Sequence, residues 1–310
     1  MPEVERLDGL LAKIQPTPFT DPVPVVGTDA VRINRRLWSN IVIDYQWKNM
    51  REAVATGTIS RAKPALPRGR WCKITVAWEA RGAGSDVPPE ADPLFRACGF
   101  TQIDGTSLWQ YTQASQSHEM AALYAYAGGA LFKLGDCHGR FRWPLAVGEV
   151  AIHEFVMFGM LFADPATTAL PGGFVYDSTE PVAGVNTGLS VGGVAVDWLS
   201  GEFDPIGMDP ELLESGNALD GIAGFDYGDT DPRFKLNFRK IALATYDPMA
   251  DLKARTTRAL LMTFGPAVAF NRIKLVSTNL SLTEHRFAAA KGFANWDLDA
   301  FVEQWTLQFD

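Results

Sequence analysis

The sequence predicts a mainly β chain built as two tandem units of antiparallel strands, each carrying one short helix. Three observations predict it: period-two alternation of apolar and polar residues recurs along both halves, helix signals are few, and two of them follow an alternating run at matching places. The 310 residues suffice for two units of about 150 residues, each able to bury its own core. With 21% charged and 47% hydrophobic residues the chain has the balance of a folded protein rather than a disordered one.

Residues 1–30 hold five of the 19 prolines, at Pro2, Pro16, Pro18, Pro22 and Pro24, and are predicted to be an extended arm after a short helical start over Leu7 to Ile14. The first β unit is expected over 31–163. In Arg70 to Ala80, Cys72, Ile74, Val76 and Trp78 point one way and Lys73, Thr75 and Glu79 the other, a half-buried strand. Asp92-Pro93 then opens a helix through Cys98, with Asp92 as N-cap and Pro93 presetting φ. Tyr124 to Lys133 carries Gly128-Gly129 between two apolar runs and reads as a hairpin; Val150 to Leu161, nearly all apolar, reads as a strand covered on both faces.

Residues 164–188, rich in Pro and Gly, are expected to link this unit to a second β unit over 189–310. There Phe234, Leu236 and Phe238 alternate with Lys235, Asn237 and Arg239, and Asp247-Pro248 opens a helix from Met249 through Arg258. A final strand sets Phe301, Glu303, Trp305, Leu307 and Phe309 against Val302, Gln304, Thr306 and Gln308. The shared order, alternating strand then capped helix then further strands, suggests a divergent tandem duplication.

The residues argue against several chemistries. Gly188-Leu189-Ser190-Val191-Gly192, with His285 downstream, matches a nucleophile elbow, but the following Gly193-Val194-Ala195-Val196-Asp197-Trp198 is β-like and supplies no helix N-terminus. His118, His138, His153 and His285 form no ligand pair; convergence of Cys137-His138 and His153 on zinc across a sheet is the alternative to a solvated turn at Asp136 to Gly139, which is the expected arrangement. Cys72, Cys98 and Cys137 contain no Cys-x-x-Cys pair and are expected to be small buried residues. Gly82-Ala83-Gly84 lacks the residues of a phosphate cradle. No catalytic residue, cofactor site or metal site is predicted, and a net charge of −8 disfavours a surface that grips phosphates. Nine tryptophans make a glycan-binding or glycan-cleaving β-domain the main rival, yet Trp38, Trp47, Trp71, Trp78, Trp198 and Trp305 lie mainly in apolar or alternating runs, where a core role is expected. The longest apolar run, Phe155 to Ala163, falls short of the roughly 20 residues a membrane helix needs, and acidic Met1 to Arg6 lacks the order of a signal peptide; assembly in a cytoplasm is expected.

Trp78-Glu79-Ala80-Arg81-Gly82, then Pro88-Pro89-Glu90 and Asp92-Pro93-Leu94-Phe95-Arg96-Ala97-Cys98-Gly99, resembles a stretch of the tail tube proteins of siphophages and of transposable phages with long flexible tails. Tyr111-Thr112, Ser115 to His118 and Asp136-Cys137-His138-Gly139 continue the likeness, which covers residues 70 to 162 well and the remainder in outline. The motif carries no chemistry of its own. The resemblance implies a non-enzymatic virion protein: tail-tube-like β-sandwich or barrel domains, each flanked by a helix, whose sheets join around a lumen. Rings of such domains stack into a tube through which DNA passes without specific binding. It implies, as partners, further copies of the chain, a tape measure protein in the lumen, and tail terminator and baseplate or tip proteins at the ends. A tail terminator or adaptor ring is the alternative within the same class. Many tail tube proteins have one sandwich where this chain has length for two, so three chains per ring with pseudo-sixfold symmetry are expected, with the Pro-rich arm linking successive rings.

Overall fold

A computed structural model describes residues 7–34, 40–48, 66–105, 108–185, 187–215, 221–265, 268, 270–290 and 293–310. Met1 to Arg6 and Trp38 lie outside the described residues.

The chain is mainly β, with two short helices. Its first half forms β1 (Leu7–Gln15), β2 (Ala30–Val31), β3 (Asn40–Lys48), β4 (Leu66–Glu79), α1 (Asp92–Ala97), β5 (Phe100–Gly105), β6 (Leu108–Gln113), β7 (Met120–Ala127), β8 (Ala130–Ala146), β9 (Ile152–Leu161) and β10 (Ala166–Thr167). The second forms β11 (Gly188–Val191), β12 (Val194–Ala195), β13 (Trp198–Asp204), β14 (Glu211–Glu214), β15 (Ile222–Asp226), β16 (Arg233–Arg239), α2 (Pro248–Ala254), β17 (Thr257–Phe264), β18 (Ile273–Ala290) and β19 (Phe293–Phe309).

The two halves repeat one strand order. Sheet A runs β2-β1-β7-β8-β9-β4-β3. Sheet B runs β12-β11-β17-β18-β19-β16-β13, the same path with each strand replaced by its counterpart, and all pairs in both are antiparallel. α1 lies between β4 and β7, as α2 lies between β16 and β17. Among the described residues three features have no counterpart in the other half: β5–β6 extends sheet B beside the end of β19, β10 adds to sheet A beside β8, and β14–β15 forms a separate two-stranded hairpin.

The halves do not fold apart. The inner faces of the sheets meet in one aromatic core, where Trp78 lies 6.4 Å from Phe309, Phe141 6.4 Å from Phe203 and Trp143 4.8 Å from Phe264, ring centre to ring centre. Phe95 of α1 sits between the layers and touches Trp78, Tyr111, Phe141, Phe155 and Phe309. Burying each such ring contributes about 1.5–3 kcal/mol. β8 pairs with β9 through Arg142 and then, from Trp143 to Ala146, with β13, so one strand belongs to both layers. The boundary at 164–188 is thus not a gap between separate bodies. That segment is strapped down: β10 pairs with β8, Phe174 and Tyr176 pack on the outer face of sheet A, and Val182 is buried in the core. The Arg81 guanidinium, itself buried, donates to the Thr179 carbonyl at 2.9 Å.

Several local expectations are met. Gly128 and Gly129 take φ of +57° and +79°, the two-residue hairpin turn that needs positive φ at both places. β4 buries Cys72, Ile74, Val76 and Trp78, and all three cysteines are buried thiols. Trp78, Trp198 and Trp305 are core residues, while Trp71 is half-buried. Asp247 caps α2, accepting from the Met249 and Ala250 amides at 3.0 and 3.2 Å.

Other expectations are corrected. Leu7 to Ile14 is not helical but lies in β1, where Leu10 and Ala12 enter the main core and Leu11 the opposite face; pairing with β7, more than 100 residues away, overrides the local preference. The rest of the arm packs on its own chain, with Asp136 Oδ1 accepting from the Phe19 amide at 2.9 Å. Asp92 is not the N-cap of α1: Ala91 holds that position without a side-chain bond, and the Asp92 carboxylate instead receives the Tyr111 hydroxyl at 2.7 Å and Arg96 at 3.3 Å. α2 stops at Ala254 because Arg255 turns left-handed, and Thr257 starts a strand. In β19, Trp305, Leu307 and Phe309 do share the core face, but Phe301 and Glu303 do not join them. Gln304 has φ of +50°, which reverses the phase, so that Trp296, Leu298, Ala300 and Val302 are the buried set upstream.

Candidate functional surface

The outer faces of the two sheets are treated differently. That of sheet A is covered: Leu11, Tyr124, Tyr126 and Leu131 pack under Val26, Phe174 and Tyr176, and Phe158 meets Phe225 of β15 at 5.7 Å. That of sheet B carries charged side chains on five adjacent strands. Alternation puts Arg140 and Arg142 of β8, Glu202 and Asp204 of β13, Arg233, Lys235 and Asn237 of β16, Asp297 and Asp299 of β19, and Glu284 and Arg286 of β18 opposite the core-facing Phe141, Phe203, Phe234, Leu236, Phe238 and Leu298.

Opposite charges meet across strands. Arg142 Nε donates to Glu202 at 3.0 Å, Lys235 lies 3.9 Å from the same carboxylate, and Arg140 reaches both Asp204 and Asp209. Burial alone lowers the Arg140 pKa, but these two carboxylates outweigh it and hold the group above its ordinary value. Asn237 donates to Asp297, and Arg286 Nε to Glu284 at 2.8 Å. A shallow groove of about 470 Å³ crosses this face, lined by four carboxylates (Glu202, Glu284, Asp297, Asp299) against two cations (Lys235, Arg286) and by no aromatic ring. The groove is thus polar and net acidic without an apolar anchor, set in a face whose cations (Arg140, Arg142, Arg233, Lys235, Arg286) and carboxylates (Glu202, Asp204, Glu284, Asp297, Asp299) balance.

The candidate residues for other chemistries are scattered. Ser190 lies in β11, opposite Ala195 and Leu261; Gly192-Gly193, with φ of +58° and +80°, makes a hairpin turn into β12, so the strand-to-helix elbow is missing. His285 lies on β18 across from Leu298. Asp136 to Gly139 is not a solvated turn: it lies inside β8, with Asp136 and His138 buried. Burial pushes the His138 pKa down to about 4 and that of His153, enclosed by Trp78, Phe95, Phe141 and Trp143, down to about 3. Among the described residues no group of three or more His, Cys, Asp or Glu side chains is arranged to hold a metal ion, and no helix is long and apolar enough to cross a membrane.

The charged face was half legible in the sequence. Lys235, Asn237 and Arg239 stood out against Phe234, Leu236 and Phe238, whereas Asp297 and Asp299 were missed; their alternation with Trp296, Leu298 and Ala300 was the available signal. Searched against protein families and against curated proteins, the chain matches none.

Proposed function

We propose that this chain is a structural virion subunit that forms stacked rings, the tail tube of a long-tailed phage, with the charged face of sheet B turned to the lumen. The observation that carries the reading is the difference between the outer faces: one sheet is closed over in part by its own chain, while the other stays polar, with a net acidic groove across it. Charges paired with one another on the protein, and an excess of carboxylates along the groove, offer a phosphate backbone little to grip and let DNA slide. Edge strands support the ring: β3 and β5 each keep one edge without a strand partner among the described residues, and joining such edges between copies removes a hazard of aggregation.

The repeated strand order accords with a duplicated tube domain, but its two sheets share one core face to face. Only one of them can then line a lumen, so six copies per ring are favoured over the three expected from the sequence. A tape measure protein would occupy the lumen, and terminator and baseplate or tip proteins the ends.

Electron microscopy of the purified protein tests this directly. Tubes or stacked rings support it, with helical reconstruction counting copies and locating Asp297 and Asp299 at the bore. Single rings that never elongate would point to a terminator or adaptor, and monomers with glycan affinity to the rival class.

A further inference from the structure

We propose that the β14–β15 hairpin is an acid-released flap over the outer face of sheet A, latched by Tyr227 held between His118 and His138. The inference stands independently of the tube reading.

The hairpin pairs only with itself among the described strands, and reaches the body through a few contacts. Phe225 rests on Trp71 and Phe158, at 5.7 Å from each. Asp209 lies 3.7 Å from Lys73 and 3.5 Å from Arg140. Elements with few anchoring contacts open locally at lower cost than the sheets beneath them. At one end Gly207, with φ of +78°, donates to Asp204 at 2.9 Å and packs against the Asp231 carbonyl, a turn that needs glycine.

The other end is the latch. Tyr227 is half-buried; its hydroxyl donates to the Ala97 carbonyl at 2.8 Å or to that of Gly139, and accepts from the Gly139 amide at 3.0 Å. The His118 ring stands edge-on to it at 4.9 Å and the His138 ring at 5.8 Å. His118 Nδ1 is 2.9 Å from Asp226 Oδ1, whereas His138 Nδ1 is buried without a partner. The titratable groups around His138 are Asp226 and Tyr227 of the flap, His118 ahead of β7, Cys98 after α1, and Asp136 and Cys137 on its own strand. From β9 it meets uncharged Phe158, whose far side is approached by Lys73.

While the flap is shut, burial disfavours a proton on His138, whose Nδ1 is unpartnered, and outweighs the opposing pull of the Asp226 carboxylate and of the backbone at Asp136 and His118. In the closed form burial holds the pKa near 4; released into water the imidazole returns to its ordinary 6.5. The closed form is thus fully favoured above the ordinary value and loses ground as pH falls from there toward the lower one, by as much as roughly 300-fold.

Hydrogen exchange on the full chain, read by mass spectrometry, tests the latch. Relative to β4 and β9, protection of residues 211–214 and 222–226 should fall roughly 20-fold between about pH 7 and pH 5. His138→Gln should abolish that fall and His118→Asn should keep it. Flap protection that tracks β4 and β9 throughout, or a response that survives His138→Gln, would overturn the proposal. Should His138→Gln not fold, NMR titration of the wild-type imidazoles decides: a protonated His138 beneath a still-protected flap overturns it, and a His138 that protonates only as protection is lost supports it.

Discussion

Sheets A and B follow the same strand order and turn their inner faces to the same core, yet one hides its outer face and the other shows it. On sheet A, Tyr124 and Tyr126 of β7 and Phe158 of β9 point away from the core, and the arm, the 164–188 segment and the β14–β15 hairpin cover them. On sheet B the counterparts on β19 are Asp297 and Asp299, half-buried along the groove, with Asp297 accepting from Asn237. A topology therefore settles which face is buried in the middle, while the residues at alternate positions settle whether the other face needs a cover. The covering segments are the ones that sequence patterns describe least well, because they have no period of their own.

The comparison can be broken first at the strand that starts sheet A. Removing residues 1–15 deletes β1, with Leu10 and Ala12 from the core and Leu11 from the covered face, and should abolish cooperative thermal unfolding monitored by circular dichroism. A truncated chain with normal melting would mean that β1 is an accessory. Next, Phe95→Ala removes the ring shared by both layers and should cost about 3–5 kcal/mol in denaturant titration, lowering one transition rather than splitting it. Two separate transitions would show that the layers are independent.

The paired test of the outer faces comes third. Phe158→Ala on sheet A should cost about 3 kcal/mol, whereas Asp299→Ala on sheet B should change folding stability by under about 0.5 kcal/mol. Equal costs would erase the distinction drawn between the faces. Smaller again is Asp310→Asn. Burial pushes the Asp310 carboxyl up, but Arg272 at 2.6 Å and Lys274 at 2.5 Å outweigh it and hold the pKa below its ordinary 3.8. Its contribution, about 1 kcal/mol for a partly exposed pair, is present above 3.8 and lost as pH falls through the lowered value. The wild-type and variant stability curves should merge in acid; a gap that persists there would deny the ion pair its role. Ser190→Ala should be the mildest, within about 0.5 kcal/mol, with no loss of any hydrolytic activity; stoichiometric labelling of Ser190 by a serine-reactive probe would reopen the elbow reading.

What the sequence disclosed was local or strictly periodic. Asp247 caps α2 through amides two and three residues on, and Gly128-Gly129 turns within its own hairpin, so both could be read in place. Asp92 looked the same from its neighbours, but Tyr111 and Arg96 claim its carboxylate, and nothing adjacent in sequence signals that. The phase reversal at Gln304 was equally hidden, since a residue with positive φ and no glycine leaves no mark in an apolar pattern. The shared strand order showed only as the matched pair Asp92-Pro93 and Asp247-Pro248, because the halves follow one path with different chemistry on their outer faces.

β19 carries one further consequence. Trp305, Leu307 and Phe309 complete a core whose other wall, from Cys72 to Phe155, is synthesised far earlier. Until β19 leaves the ribosome, Trp78, Phe95 and Phe141 have no second layer to rest on, and sheet A must wait with an apolar face open to water. Distant pairings of this kind close slowly. The nascent chain is therefore expected to depend on chaperone shelter, and a pause in synthesis ahead of Phe293 would raise aggregation without altering the final structure.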